Sequence, residues 1–426
     1  MKVIYDISVL GMGYYHPRTR TGVFRVVENL ASGLVNSDEI DLNFCASFSL
    51  ESVNQSIDYL QSNPKFSDLS FIAPTWQKNA HKKITKLIEN INKQNQISIT
   101  SKVLRLILYS TINKIDRNTK IVSNKLLANV ELFHSPFYPI PEYCQLSKKI
   151  KKILTVHDLI PILYPQFFEF QEDHLVKKAL HSLKPDNWVT CVSHATKNAL
   201  CNYLPTIDPA QVIVTHLAAS KLFYPCNNHQ EIEFIKNKYQ IPNDVNYILS
   251  LSTLEPRKNI DHTIRCFAKL VEQENIEDLY LVLVGTKGWD YGKIFNELSN
   301  LSTLKARIIV TGYVADEDLA ALYSNALAFV YPSFYEGFGL PPLEAMQCGV
   351  PVITSNTSSL PEVVGEAGIM LNPTDTDALC QSMLQIYSQP SLQKIMSLKS
   401  LEQAKQFSWQ KCTQQTIDAY KTALSS

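Results

Sequence analysis

Strand-like runs of β-branched and apolar residues alternate with helix-like periodic segments along this 426-residue chain. Alternation of this kind is typical of parallel sheets with helices packed on both faces. It therefore predicts an α/β protein built from doubly wound sheets. The predicted strands cover residues 2–7, 131–134, 152–157, 188–193 and 212–216 in the first half, and residues 246–251, 280–284, 307–310, 326–331 and 350–354 in the second half.

Proline and asparagine interrupt the alternation between about residues 224 and 246, with a short charged helix predicted inside the interruption. A chain of this length exceeds the usual size of one domain. We therefore predict two Rossmann-like domains that face each other across a cleft, with ligands beyond the carboxyl ends of the strands. The predicted parts are a first domain, a linker, a second domain and a last helix, at residues 1–225, 226–243, 244–405 and 406–426.

The composition excludes several classes of protein. Forty lysines and arginines balance forty aspartates and glutamates, which argues against a dedicated nucleic-acid-binding protein. Nine cysteines without a Cys-x-x-Cys pair fit neither a disulfide framework nor a zinc site. The first residues resemble a core strand rather than a signal peptide, and no apolar run approaches the ~20 residues that span a bilayer. The sequence therefore predicts a cytoplasmic protein with reduced thiols and no bound metal.

One segment departs from the balanced charge. Residues 78–125 contain eleven lysines and arginines but only two acidic residues. Apolar residues fall at helical spacing from residue 84 to residue 91, and residues 103–108 are strongly apolar. Two interpretations stay open. A basic amphipathic segment can lie on an anionic membrane surface, here the inner face of the plasma membrane. Alternatively, two ordinary helices pack their apolar faces on the core while their lysines face water.

The densest chemical signal is the glycine-rich segment 334–346, which follows a predicted strand and opens a predicted helix. Gly337 and Gly339 let the backbone approach a ligand closely, and the helix N-terminus favours an anion such as a diphosphate. Glu344 is expected in the first helical turn, where it can accept hydroxyls of a ribose, and Glu336 in the loop can accept those of a second sugar. A first-turn acid that stabilises the helix dipole would explain Glu344 alone, but its neighbours favour a nucleotide-sugar site.

A second cluster, at residues 251–259, follows the first predicted strand of the second domain. Arg257 offers a two-pronged fork and Lys258 a mobile point charge, so the pair can neutralise a diphosphate leaving group in place of a metal ion. The alternative is an exposed turn with two solvated bases. The acidic run 316–318 resembles a metal-binding motif, but acids in the first turn of a helix explain it better.

These motifs resemble the retaining GT-B glycosyltransferases of family four, the glycosyl transferases group 1. The resemblance is carried by the turn at 255–259, the Glu336 and Glu344 pair, and residues 349–353, and it is thinner in the first half, at residues 21–25 and 156–158. It implies a hexosyltransferase of the bacterial polysaccharide type, with the donor mainly on the second domain and the acceptor on the first. It also implies that the last helix crosses back to the first domain.

The resemblance assigns roles residue by residue. Gly22 would lie in a first loop that closes over the phosphates, and His157 would lie near the anomeric carbon. Many relatives carry a phosphate-binding arginine where this chain has Ser252 and Thr253, which leaves open whether Arg257 takes that role. The implied catalytic residues are His157, Arg257, Lys258 and Glu336. The implied donor-binding residues are Gly22, Ser252, Thr253, Arg257, Lys258, Gly312, Tyr313, Val314, Glu336, Gly337, Phe338, Gly339, Leu340 and Glu344.

The expected donor is a nucleotide sugar, with UDP-glucose as the first expectation and GDP-mannose as the second. The expected acceptor is a saccharide, with a lipid-linked saccharide included, and no cofactor is expected. Two alternatives keep the fold but change the function: a catalytically silent scaffold that binds nucleotide sugars, and a nucleotide-sugar epimerase.

Overall fold

The computed structural model describes residues 1–16, 20, 22–66, 69–92, 99–118, 129–167, 174–288, 291–300 and 304–426. Within these ranges the chain forms two parallel six-stranded sheets covered by helices. The elements of the first half are β1 Lys2–Asp6, α1 Ser8–Tyr15, α2 Gly22–Val35, β2 Asp41–Cys45, α3 Leu50–Ser62, α4 Thr75–Asn92, α5 Ile99–Asn118, β3 Leu132–Ser135, α6 Glu142–Gln145, β4 Lys151–Val156, α7 Ile160–Leu163, α8 Leu175–His181, β5 Trp188–Cys191, α9 His194–Tyr203 and β6 Val212–Val214.

The second half repeats the pattern. Its elements are α10 His229–Lys238, β7 Asn246–Leu251, α11 Ile260–Gln273, β8 Leu279–Val284, α12 Gly292–Asn300, β9 Ile308–Gly312, α13 Asp316–Ser324, β10 Ala328–Tyr331, α14 Leu340–Gln347, β11 Val352–Ser355, α15 Leu360–Val364, β12 Ile369–Leu371, α16 Thr376–Ser388, α17 Pro390–Ala404 and α18 Trp409–Ser425.

The strand orders are β2-β1-β3-β4-β5-β6 and β12-β11-β10-β7-β8-β9, and all recorded pairs are parallel. Each of the ten predicted strands is present, with ends shifted by a few residues. The sequence analysis missed β2 and β12, each of which is one of the two edge strands of its sheet. An edge strand pairs on one side only, so it can be short and partly exposed and lacks the continuous apolar run that marks a central strand.

The last helix crosses back to the first domain. Ile417, Tyr420 and Ala423 of α18 are buried in the apolar cluster that contains β1 and α2. The Tyr420 hydroxyl lies 2.6 Å from Nδ1 of His134 on β3. Periodicity identifies α18 as amphipathic, but only these contacts show which domain it covers.

The interrupted segment between the sheets contains the predicted charged helix, α10. Ile232 and Ile235 pack into the core cluster of the second domain. Lys238 Nζ and the Tyr239 hydroxyl both lie 2.6 Å from Oδ2 of Asp318 on α13. Within the folded chain this helix therefore lies on the second domain. Across the part of the chain that the structure describes, no helix is long and apolar enough to cross a membrane.

Candidate active site

A cavity of about 540 Å³ lies between the two domains, at the carboxyl ends of the strands of both sheets. All of the predicted site residues line this cavity except Gly312, whose carbonyl accepts a hydrogen bond from Gly285 beside it. The sequence analysis did not assign several other residues of the lining to the site: Arg20, Arg25, Asp158, Gly285, Thr286 and Asp316.

Glu336 is the centre of the charged cluster in this cavity. It lies in the loop between β10 and α14, and its side chain is about nine-tenths buried. Four donors converge on Oε1: Lys258 Nζ at 2.6 Å, Arg257 Nη1 at 2.9 Å, the Tyr331 hydroxyl at 2.9 Å and the Ser333 hydroxyl at 2.6 Å. Among the described residues Oε2 has no such partner, so it is the oxygen that can accept hydroxyls from a ligand.

Glu336 is ionised at neutral pH. Burial raises the pKa of Glu336, but Arg257 and Lys258 lower it by more than burial raises it, and the result is a pKa of about 2. Burial and the neighbouring Arg257 lower the pKa of Lys258. The contact between Lys258 and Glu336 partly offsets this decrease. Opposite charges in direct hydrogen-bonded contact hold each other in the charged form despite their burial.

Arg257 has a different arrangement from the one that the sequence suggested. Its Nη1 donates to the Tyr335 carbonyl at 2.6 Å as well as contacting Glu336, and its Nη2 donates to Glu255 at 2.8 Å. Both terminal nitrogens of Arg257 contact protein acceptors in this structure, and its role toward a diphosphate stays a prediction. Lys258 has three donor protons, and the Tyr331 hydroxyl and Glu336 engage two of them. Lys258 therefore keeps one donor proton for an anion.

The loop at Gly339 ends in a helix N-terminus, as predicted. Gly339 precedes α14 with φ +114°, a conformation that favours glycine, and the first helical residue is Leu340. Pro341 and Pro342 are therefore the second and third helical residues. Because proline has no N–H, the amides of Gly339 and Leu340 are the ones that this helix end can offer to an anion.

Glu344 lies in the second turn of α14 rather than the first, because the helix begins at Leu340. It is 3% exposed, and its Oε1 accepts from Arg25 Nη1 at 3.0 Å while Oε2 accepts from the Tyr323 hydroxyl at 3.4 Å. Burial raises its pKa to about 7, although Arg25 opposes the shift. Its carboxyl group lines the cavity, as the expected ribose contact requires.

Arg25 joins the two domains. It lies on α2 of the first domain, and besides Glu344 it contacts Asp316 on α13, with Nη2 2.5 Å from Oδ1. Asp316 lies in the first helical turn, as predicted, but the sequence does not indicate its partner 291 residues away. Gly22, predicted in a loop, is instead the first residue of α2. Thr21, which the resemblance also includes, lies outside the described residues.

His157 follows β4 and lies against the second domain. Its Nε2 donates to the Pro136 carbonyl at 2.7 Å, and burial lowers its pKa, so the ring is neutral with Nδ1 as an acceptor. The Thr196 hydroxyl lies 3.3 Å from the His157 carbonyl oxygen and 3.1 Å from that of Gly337. The loop of the first domain thus touches the glycine-rich loop of the second domain backbone to backbone.

The other predicted donor-binding residues form one wall of the cavity. Ser252 and Thr253 follow β7, and the Ser252 hydroxyl is buried without a partner within the described chain. Tyr313 is 71% exposed, whereas Val314 is buried beside it. The turn at Tyr313 and Val314 therefore carries no charged side chain on the side that is expected to face the nucleotide base of the donor.

Comparison with known proteins identifies the family. The sequence profile of the glycosyl transferases group 1 matches residues 231–403. O-antigen chain mannosyltransferase B of Escherichia coli is 39% identical over 291 residues, which cover 68% of this chain and 74% of that protein. The chain belongs to the glycosyl transferases group 1 family. The serotype-specific mannosyltransferase WbdA of Escherichia coli is 29% identical over 65% of this chain, but the match covers only 34% of that protein.

Solved structures agree on the architecture of this glycosyltransferase. Sucrose-phosphate synthase from Thermosynechococcus elongatus aligns over 100% of this chain and 99% of its own, with a TM-score of 0.64 at 19% identity. The predicted GT-B fold is confirmed, and so is the predicted class of enzyme, a hexosyltransferase of the bacterial polysaccharide type. Within the described ranges, no group of three His, Cys, Asp or Glu side chains could hold a metal ion. Metal-independent transfer stays a prediction.

The raised pKa of Glu344 predicts a pH-dependent stability. Its ordinary value is 4.5 and its value in the folded protein is about 7, so between these values the folded chain binds a proton that the unfolded chain releases. Protonation of Glu344 therefore stabilises the folded chain at about pH 5, and this contribution is lost as the pH rises through 7. The free energy of unfolding changes by on the order of 3 kcal/mol at most. We expect Glu344→Gln to reduce the difference between the thermal unfolding midpoints at about pH 5 and about pH 8.

The matched control is Glu402→Gln, because Glu402 is exposed and its surface ion pair with Lys405 contributes little. It should keep the wild-type difference between the two midpoints. An unchanged pH dependence in Glu344→Gln would show that the carboxyl group is not buried in solution.

Proposed function

We propose that this enzyme transfers mannose from GDP-mannose to a saccharide acceptor in polysaccharide biosynthesis, with retention of the anomeric configuration and without a bound metal. The observation that carries the transfer is the cluster at Glu336, where a free carboxylate oxygen lies beside a buried lysine with a spare donor. The relatives named above support mannose as the sugar, since both are mannosyltransferases. Nothing specific supports glucose, the first expectation from the sequence.

The cavity offers a separate partner to each part of the donor. The ribose hydroxyls meet Glu344, and the diphosphate meets Lys258 and the amides of Gly339 and Leu340. The hexose hydroxyls meet Oε2 of Glu336. When the nucleotide diphosphate leaves, negative charge develops on its oxygens, and the fixed cations and the helix end stabilise that charge.

The carboxylates of the cavity favour transfer without a covalent intermediate. Asp158 Oδ1 accepts from the Ile160 amide at 2.9 Å, and Asp316 contacts Arg25. Glu344 and Glu336 have the partners described above. Each of these carboxylates has at least one oxygen held by a protein donor, and we infer that the acceptor attacks from the face that the diphosphate leaves, and that a phosphate oxygen takes the acceptor proton. This route retains the configuration and uses no enzyme nucleophile.

Titration calorimetry against GDP-mannose, UDP-glucose, UDP-galactose, UDP-GlcNAc and dTDP-sugars, with EDTA present, tests the donor. We expect GDP-mannose to bind and to be hydrolysed slowly in the absence of acceptor. Binding of UDP-glucose alone would show that the mannose assignment is wrong. Abolition of turnover by EDTA, restored by a divalent cation, would contradict metal independence.

Product analysis separates the remaining alternatives. Release of α-configured mannose, seen by NMR before mutarotation, is the expected result for retention. Conversion of UDP-GlcNAc into its epimer without release of sugar would favour the epimerase. Binding of no donor by folded protein would favour the silent scaffold.

A further inference from the structure

The basic segment of the first domain forms two helices, α4 and α5, that pack on each other. Residues 93–98 and 119–125 of this segment lie outside the described residues. His81, Ile88 and Ile91 of α4 face inward and are buried. This confirms one part of the ordinary interpretation, in which an apolar face packs on the protein. It does not account for the outer face of α5.

The outer face of α5 is apolar. Val103, Leu106 and Ile107 are 51%, 67% and 57% exposed, and their i, i+3, i+4 spacing places them side by side. Trp76, at the start of α4, is 67% exposed. Scattered apolar residues are common on surfaces, but adjacent ones on a single helix mark a contact surface.

The same pair of helices carries exposed positive charge. Lys82, Lys83 and Lys86 are exposed on α4, and Lys102 is exposed beside Val103. Exposed apolar side chains together with exposed lysines on one pair of helices are the pattern of a segment that lies in the interface of an anionic bilayer. Lysine is depleted in protein–protein interfaces, so the lysines on these helices argue against a protein partner. Charge therefore selects the membrane as the occupant.

The helix pair is connected to the active-site cavity through two other helices. Lys82 Nζ lies 3.7 Å from Asp58 on α3, and the same aspartate accepts from the Tyr15 hydroxyl at the end of α1 at 2.5 Å. The chain after α1 leads to Arg20 and Gly22, which line the cavity. A membrane under α5 would thus lie on the domain that is expected to hold the acceptor.

We propose that Lys82, Lys83, Lys86, Val103, Leu106 and Ile107, here called the docking face, bind the enzyme to the surface of an anionic phospholipid bilayer. The apolar side chains enter the headgroup region, and the lysines contact lipid phosphates. If the proposed function holds, on which this step rests, the docking brings a membrane-anchored acceptor to the cleft. The binding itself does not depend on the donor.

Co-sedimentation with vesicles tests the docking. We expect the full chain to bind vesicles of phosphatidylcholine with about one third phosphatidylglycerol, to bind pure phosphatidylcholine weakly, and to be released from the anionic vesicles by high salt. Leu106→Ser with Ile107→Ser should weaken the binding ~10-fold or more. The matched control is Ile395→Ser with Leu398→Ser on α17, which removes a similarly exposed apolar pair and should bind like wild type.

A charge variant gives an independent test. Lys82→Gln, Lys83→Gln and Lys86→Gln together should weaken binding to anionic vesicles and flatten its salt dependence, whereas Lys394→Gln, Lys399→Gln and Lys405→Gln should not. Failure of wild type to bind at low salt would overturn the proposal, as would an equal loss in the control variants. A wild-type dimer that Leu106→Ser with Ile107→Ser makes monomeric would instead assign the face to a second copy.

Donor hydrolysis without lipid separates this proposal from the proposed function. All of these variants should hydrolyse the donor in solution at the wild-type rate. A protein that binds vesicles but hydrolyses no donor would contradict the proposed function and leave the docking supported.

Discussion

Replacing Lys258 with alanine lowers donor turnover by ~100- to 1,000-fold and leaves the fold intact. Lys258 keeps a donor proton for the departing diphosphate, whereas both terminal nitrogens of Arg257 already contact Glu255, Glu336 and a carbonyl. The folded state tolerates the loss because Glu336 keeps Arg257, Tyr331 and Ser333 as partners. The expected effect therefore appears in kcat rather than in the unfolding midpoint.

The measurement is the initial rate of donor hydrolysis by Lys258→Ala, with circular dichroism and thermal unfolding as checks of the fold. Lys269→Ala is the matched control, because Lys269 lies in the same domain and forms an exposed ion pair with Asp377 at 2.7 Å. It should turn over like wild type. Wild-type turnover in Lys258→Ala would show that the phosphate-binding assignment is wrong.

Gly337→Ala separates the two domains and lowers kcat by ~100-fold or more. A β-carbon at Gly337 would lie 2.1 Å from the carbonyl oxygen of His157 and 2.9 Å from Cβ of Asp158. Both atoms belong to the first domain, and a backbone oxygen cannot move aside like a flexible side chain. The added methyl group must therefore push the loops apart and disturb the cavity where acceptor and donor meet.

Small-angle scattering and donor titration distinguish this effect from loss of the binding site. The radius of gyration of Gly337→Ala should exceed that of wild type, while donor binding persists because most donor contacts lie on the second domain. Gly292→Ala is the control, since a β-carbon there meets nothing within 4 Å. Unchanged turnover and scattering in Gly337→Ala would show that the two loops are not in contact in solution.

The sequence was enough to predict those residues of the candidate site that lie in loops directly after a strand. Glu336, Gly339 and Lys258 lie in strand-to-helix loops, and parallel strands bring such loops to one edge of the sheet. Residue types and spacing along the chain were therefore enough to place them together. The same reasoning identified the cleft before any contact was known.

Other features of the site depend on contacts between distant parts of the chain. The sequence suggests a ligand as the neighbour of Gly337, but the structure places the backbone of His157 against it. It suggests a free fork for Arg257, but Glu255 and Glu336 occupy it. The local sequence identifies the chemical groups of a residue, but it does not identify the residues that contact it in the folded protein.

Local patterns along the chain establish two α/β domains, most strands of each half, and the loops that form the cleft. They can do so because hydrophobic periodicity, glycine and helix starts act over a few residues. The tertiary structure alone decides that Arg25 joins the domains through Asp316 and Glu344, and that α18 covers the first domain. It also decides the ionisation of Glu336 and Glu344, because burial and neighbouring charge set a pKa and both arise only when the chain folds.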